Sequence, residues 1–338
     1  MRAHLRPSRA RLQAALLLLG ALAGCKEPAQ DPCRPYRAYD NVIHDAAEWN
    51  AFVASGCTVV QGHLTLLAGS VDPANVPAVQ EITGGLGIAL VPPSREVALP
   101  HLRSIGADLI VTSSADQEAI HLAALTSVGY SVGVSGNGAL RVLEVPALAS
   151  VGGGWIKVLS NASLEVLDLP ALATPVALVV DQNSSLASLS FPSLATAFYL
   201  SIWNDPALVS VSFPALTEVL GFVDLSDLPV LPAVRFPVLQ AVGTESASAG
   251  LSLYSLDAVT VIDLPVLRSV ARSFDVFGNQ ALATMTVPVL DVVGDLQIGN
   301  NRAYPECLAT ALRDHLAASC GLQGARIGGN DTTATCGP

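Results

Sequence analysis

The sequence predicts a mainly β protein whose chain winds into a parallel β-solenoid of about ten turns of about 23 residues, with short capping helices at both ends. Three observations predict it. A step of 14 residues recurs nine times, from Leu86, Leu109, Val132, Ile156, Leu178, Leu200, Val223, Leu251 and Phe274 to Pro100, Ala123, Pro146, Pro170, Pro192, Pro214, Pro237, Pro265 and Pro288. Within each step, apolar residues alternate with others over short stretches, the pattern of a strand with one buried face. An asparagine recurs near the same point of many turns: Asn137, Asn161, Asn183, Asn279 and Asn301 stand three residues after the second apolar strand residue, and Asn204 stands two after it.

The chain opens on residues outside this pattern. Arg2, Arg6, Arg9 and Arg11 form a positive head, Leu12 to Leu22 an apolar run, and Ala23 and Gly24 a small-residue end before Cys25. This is a secretory leader, too short to span a bilayer comfortably. Leu22-Ala23-Gly24-Cys25 resembles the lipobox of bacterial lipoproteins. The resemblance implies cleavage after residue 24, acylation of Cys25, and a bacterial cell-envelope address; Lys26 after the cysteine suits the outer membrane. More than one acyl chain on one residue gives stable anchoring. An ordinary signal peptide is the plainer alternative. Residues 25–36 are then a proline-rich tether.

The repeat domain spans residues 37–302. Asp45 with Glu48 forms a capping box that opens a helix through Trp49, Phe52 and Val53, ending near Gly56. Cys57-Thr-Val-Val-Gln-Gly-His-Leu-Thr-Leu is the first strand of the stack. Each later turn reads roughly Pro-x-Leu-x-x-Val-Gly, apolar-x-apolar, Asn, Leu, apolar-x-apolar, and Pro, which predicts two strands per turn. Proline has no N–H for a ladder, so it belongs where the chain leaves a sheet. Gly84, Gly106, Gly129, Gly152 and Gly243 mark tight corners. The asparagines, each with a donor and an acceptor, are expected to bridge adjacent turns; a ligand site is the other reading.

Residues 303–338 form the C-terminal cap. Pro305 opens a helix with Leu308, Leu312 and Leu316 on one face, followed by a polar tail through Asn330 and Asp331. Five cysteines follow Cys25, all near the two ends of the chain. In an exported protein they read as disulfides, Cys33 with Cys57 and Cys307 with Cys336, leaving Cys320 over. A metal site is the weaker reading, since no CxxC pair or suitably spaced histidine accompanies them.

Removing residues 1–24 takes four arginines and no acids from 17 Lys+Arg and 28 Asp+Glu, leaving 13 against 28, a net charge of −15. That excludes a general nucleic-acid binder, which carries a basic stripe. Charged residues are 13% of the chain against a typical figure of about 25%. No stretch after the leader reaches the roughly 20 apolar residues of a membrane helix, so the apolar excess belongs to a core.

The helix, then Cys57-x-x-Val-x-Gly62-x-Leu64-x-Leu66, then the repeated Leu-Pro-x-Leu-x-x-Val-Gly turns with asparagine, resemble the leucine-rich-repeat superfamily, and more closely the receptor L domain of insulin- and epidermal-growth-factor-type receptors. The resemblance covers residues 40–302. It implies a right-handed parallel β-solenoid with at least one continuous sheet, and the receptors' other modules, including any kinase, are absent. About ten turns exceed one such domain, so the array is extended or fused. Ligand residues in that family carry no motif, and none is transferred.

No catalytic constellation emerges. There is no Walker A loop or HExxH, and Gly133-Val-Ser135-Gly136-Asn137 lacks nucleophile-elbow spacing. Lys157, after Gly152-Gly153-Gly154-Trp155-Ile156, falls in strand register rather than at a helix start. Polysaccharide-cleaving solenoids need clustered acids and bases, whereas Asp108, Lys157, Asp181, Asp224, Asp275 and Asp295 fall on separate turns, and His63, His101 and His121 have no nucleophile in register. No cofactor or metal is implied. One outward patch stands out: Trp155, Lys157, Tyr199 and Trp203, within roughly 10–15 Å on nearby turns. Such groups suit a protein or glycan partner, or they pack beneath the corner loops. The expectation is a non-enzymatic, lipid-anchored envelope protein that binds a protein or glycan. The alternatives are a structural spacer and, behind it, a polysaccharide-active enzyme.

Overall fold

The computed structural model describes residues 40–67, 75–89, 95–112, 116–245, 250–319 and 321–336. The leader, the tether, Cys25, Cys33 and Cys320 lie outside the described residues.

The chain is a parallel β-solenoid of about ten turns. Its principal sheet has 15 strands, all parallel, from Asp40–Ile43 through Ser131–Ser135, Trp155–Leu159, Val176–Asp181, Thr196–Trp203 and Phe222–Ser226 to Leu322–Gly328. Register is in step with the sequence repeat: Leu109 pairs with Val132, Val132 with Ile156, Ile156 with Leu178, and Leu178 with Leu200. Each of these side chains therefore has its equivalent one turn above and below it, about 4.8 Å away. All five are buried in a single apolar core. Phenylalanines stack within that core in the same way, Phe191 on Phe213 at 5.4 Å between ring centroids and Phe213 on Phe236 at 6.0 Å.

Several turns contribute three strands where the sequence predicted two, and in Thr196–Trp203, Ser269–Phe277 and Val292–Gly299 the extra strand runs on into the long one. Besides the long sheet and the strands before the proline, such as Val142–Glu144 and Val166–Asp168, the Ser-Val or Ser-Ile before the corner glycine forms a third. Glu81–Ile82, Ser104–Ile105, Ser127–Val128 and Ser150–Val151 lie in one five-stranded sheet, and the later equivalents Glu218–Val219 and Ala241–Val242 join the principal sheet. Two-residue strands are too short to show an alternation, which is why the pattern concealed them. The glycine column that follows is set by close approach of adjacent turns. A Cβ at Gly129 would collide with the carbonyl oxygen of Gly106, and one at Gly106 with that of Thr83.

Among the described residues there are two helices, α1 (Ala46–Ala54) and α2 (Glu306–Ala318). Asp45 caps α1 by accepting from the Glu48 N–H at 2.9 Å, while the Glu48 carboxylate accepts from the His44 N–H at 2.6 Å. Trp49 and Phe52 of α1 are buried. In α2 the buried residues are Ala309 and Leu316, with Leu312 packed against the core, while Leu308 is exposed. This corrects the expected face. Residues spaced by four drift around a 3.6-residue helix, so 308 and 316 diverge by about 80°, and the buried stripe centres on 309, 312 and 316, which span about 60°. After α2 the chain returns to the sheet as Leu322–Gly328, in parallel register with Val292–Gly299.

Asparagine side chains form a ladder inside the coil, in two runs separated by Asp205, Leu228 and Leu256. The Asn137 N–H and Nδ2 donate to Asn161 Oδ1 (3.2 and 2.9 Å), and those of Asn161 donate to Asn183 Oδ1 (3.1 and 3.1 Å). Asn279, Asn301 and Asn330 continue it, so Asn330, expected in a polar tail, is its last rung. Asn204 is not a rung. It stands one residue earlier, at a left-handed corner with φ +52°, and Asp205 takes the rung position. Ser160, Gln182, Asp227, Ser255 and Asn300 share that corner conformation, as do Gly136, Gly278 and Gly329. A left-handed corner disfavours Cβ-bearing residues, but the corner amides are tied into the next turn, as in Ser160 N–H to Asp181 O at 2.9 Å.

Candidate functional site

The outer face of the principal sheet carries three columns of side chains. The column preceding the first core residue holds Ser131, Trp155, Ala177, Tyr199, Phe222, Gly250, Ser273 and Asp295. The middle column holds Gly133, Lys157, Val179, Ser201, Asp224, Ser252, Asp275 and Gln297, and the third holds Ser135, Leu159, Asp181, Trp203, Ser226, Tyr254 and Phe277. Parallel register alone places these groups, because an extended strand sends every second residue outward.

Trp155, Lys157 and Tyr199 are brought together. The Tyr199 ring meets Trp155 edge-on, with centroids 5.3 Å apart, and the Lys157 ammonium lies 4.5 Å from the centroid of the Trp155 ring. Both geometries match the quadrupole of the indole. Phe222 extends the column by stacking on Tyr199 at 4.7 Å and 11°. Burial raises the Tyr199 phenol above its usual range. Trp203 is in the third column, paired in register with Asp181 and Ser226, away from the Trp155–Tyr199 contact. The patch remains accessible. Trp155 is 37% exposed, Trp203 36%, and Phe198, whose ring lies against Gly154, 42%.

The acids are more ordered than separate turns implied. Asp224 and Asp275 share the middle column two turns apart, and Asp295 is beside them in the first. Burial raises the carboxyl groups of Asp224 and Asp275 above the ordinary range, opposed by hydrogen bonds from Ser226 and from Ser273 and Tyr254 respectively. The Tyr254 phenol is pushed up to about 12 by burial and then by Asp275. Asp108 accepts from the Ser131 hydroxyl and, at 3.1 Å, from its N–H. His121 Nδ1 is 2.6 Å from the Glu144 carboxylate, and His63 Nδ1 accepts from the Gly85 N–H at 2.8 Å. Among the described residues, no group of three or more His, Cys, Asp or Glu side chains is placed to hold a metal ion. Lys157 is within the strand Trp155–Leu159, which leaves the preceding glycines without the helix that a phosphate loop requires.

On another side of the coil, Val142–Glu144 and Val166–Asp168 belong to different three-stranded sheets. The interrupted ladder leaves an open cleft of about 330 Å³ between them, spanned by the Arg141–Glu165 ion pair at 3.0 Å. At the chain end, Cys307 and Cys336 form a disulfide, with 6.1 Å between their Cα atoms. Cys57 is also disulfide-bonded, and Cys33, the partner expected for it, lies outside the described residues. No helix among the described residues is long and apolar enough to cross a membrane.

Comparison with known proteins gives no match, whether with protein-family models, curated proteins or solved structures.

Proposed function

We propose that the chain is a non-enzymatic, lipid-anchored protein of the bacterial cell envelope that binds a protein or glycan partner through the outer face of its principal sheet. The carrying observation is the aromatic column Trp155–Tyr199–Phe222 with Lys157 against the indole, on the outer face of the sheet with Trp155 exposed. Exposed, rigid aromatic groups beside a cation favour partner capture, because little side-chain entropy is lost on binding. The lipobox at Leu22–Cys25 supports the anchor, and the turn pattern supports kinship with receptor L domains and leucine-rich repeats. In that reading α1 and α2 cover the two ends of the stack and shield strand edges that would otherwise pair with other chains.

The test is capture from envelope extract by the intact chain and by a variant with Trp155→Ala and Trp203→Ala. Loss of a captured partner with an unchanged far-ultraviolet circular dichroism spectrum supports the reading. Equal capture by both removes the patch as a binding surface.

One observation favours a second reading, a structural spacer. The rings of the column stack on one another and Lys157 already occupies a face of Trp155, so part of the patch is satisfied within the molecule. A spacer tolerates deletion of the Leu200 turn without loss of envelope function, whereas a binding face there does not.

A further inference from the structure

The asparagine ladder is interrupted between Asn183 and Asn279 by Asp205, Leu228 and Leu256, and the first of these is ionisable. Asp205 is fully buried. Its Oδ1 fills the usual role, accepting from the Asn183 N–H at 2.7 Å and from Asn183 Nδ2 at 3.2 Å. Its Oδ2 is buried and receives no donor.

In every asparagine rung the atom matching Oδ2 is the amide nitrogen, and it performs one task. It donates to the carbonyl of the second core residue of the preceding turn: Asn137 to Val111 (3.2 Å), Asn161 to Val134 (3.0 Å), Asn183 to Val158 (3.0 Å), Asn279 to Leu253 (3.0 Å), Asn301 to Val276 (2.9 Å) and Asn330 to Ile298 (3.0 Å). For Asp205 the matching acceptor is the carbonyl of Val180, which pairs in register with Ile202. An ionised carboxylate has only acceptors to offer that carbonyl. A carboxylic acid has one O–H donor, which is what the rung requires.

We propose that in mildly acidic solution Asp205 is the neutral carboxylic acid, its Oδ2–H donating to the Val180 carbonyl in place of an asparagine amide, and that release of this proton on the way to neutral pH is a pH-operated weak point of the coil beside Trp203. The nearby charge opposes ionisation, whereas the hydrogen bonds from Asn183 favour it. Asp181, at the end of the preceding strand, accepts from Gln182 Nε2 at 3.1 Å and Asn204 Nδ2 at 3.4 Å, and its negative charge opposes ionisation of Asp205. The following turn brings Asp227 to its left-handed corner and apolar Leu228 to the rung. Asn183 is neutral, and no salt bridge reaches Asp205 among the described residues. Burial is the largest influence and lifts the carboxyl to about 6, against the lowering effect of the Asn183 hydrogen bonds.

A raised acid binds its proton more tightly in the folded chain than in the unfolded one. The stability it contributes is therefore full below the ordinary carboxylate range and is lost as pH rises through about 6. Asp205→Asn supplies the missing donor permanently and cannot ionise. Unfolding equilibria of the full chain and of Asp205→Asn, followed from pH 4 to pH 8, should diverge. The folding constant of the variant should exceed that of the wild type on the order of a hundredfold at pH 8 and match it near pH 4. Parallel curves overturn the proposal. A second measurement needs no variant: the carboxyl ¹³C shift of Asp205 in the wild type should titrate near pH 6, and a midpoint in the ordinary range of Asp overturns it as well.

Discussion

Asn161→Ala is the sharpest perturbation of the ladder. The side chain makes four contacts inside the coil: Oδ1 accepts from the Asn137 N–H and Nδ2, and Nδ2 donates to Val134 O and to Asn183 Oδ1. Asn183 Oδ1 keeps the Asn161 backbone N–H at 3.1 Å and Asn137 Nδ2 keeps the Val111 carbonyl at 3.2 Å, so alanine orphans two buried groups, the Asn137 N–H and the Val134 carbonyl. At about 1–3 kcal/mol for each unsatisfied buried group, the expected loss is about 2–6 kcal/mol. Solenoid turns respond mainly to their neighbours, so the loss should be local first. Native-state hydrogen exchange should lose protection in the turns bearing Asn137, Asn161 and Asn183, with urea unfolding giving the total. Ser163→Ala, which removes an exposed hydroxyl bonded to Gly138 O at 2.7 Å, should change stability by under about 0.5 kcal/mol and serves as the control. A loss below about 1 kcal/mol for Asn161→Ala would mean the rungs do not hold the corners.

Two further substitutions probe the packing between turns. Gly129→Ala places a Cβ against the Gly106 carbonyl, a backbone atom that cannot swing away; thermal unfolding should show severe destabilisation or no folded protein, while Gly138→Ala, with open space around its Cβ position, should fold normally. Phe213→Ala removes the middle ring of the Phe191–Phe213–Phe236 stack and should lower stability by about 3–5 kcal/mol in urea titration; a loss near 1 kcal/mol would show that the neighbouring turns close over the cavity.

Much of this build was legible in the sequence because one physical rule repeats. The fixed 14-residue step keeps Leu109, Val132 and Ile156 in one column, and stacked columns need identical spacing wherever the coil bends. The asparagines were legible for the same reason, and Ile202 to Asp205 repeats the three-residue interval of Val134 to Asn137. Asparagine at 204 drew attention one residue away from the true rung. The two-residue third strand of the earlier turns escaped because two residues cannot display a period. Leu322–Gly328 escaped because α2 intervenes and breaks the step. On the candidate face, Trp155 and Tyr199 were located by their place before a core residue, and Phe222 before Val223 occupies that same place. Cation–π contact and ring stacking depend on rotamers, which periodicity does not encode.

The account rests on successive turns being layered in register along one axis. Pairs of spin labels in the middle column measure this directly, after replacement of cysteines outside disulfides. Lys157 and Gln297 are six turns apart and Ser201 and Gln297 four, so their backbones should be separated by about 29 Å and about 19 Å at roughly 4.8 Å per turn. Distances that grow by that increment with each added turn are the predicted result. Separations that do not scale with the number of turns would contradict the stacked coil, and with it the ladder and the face built upon it.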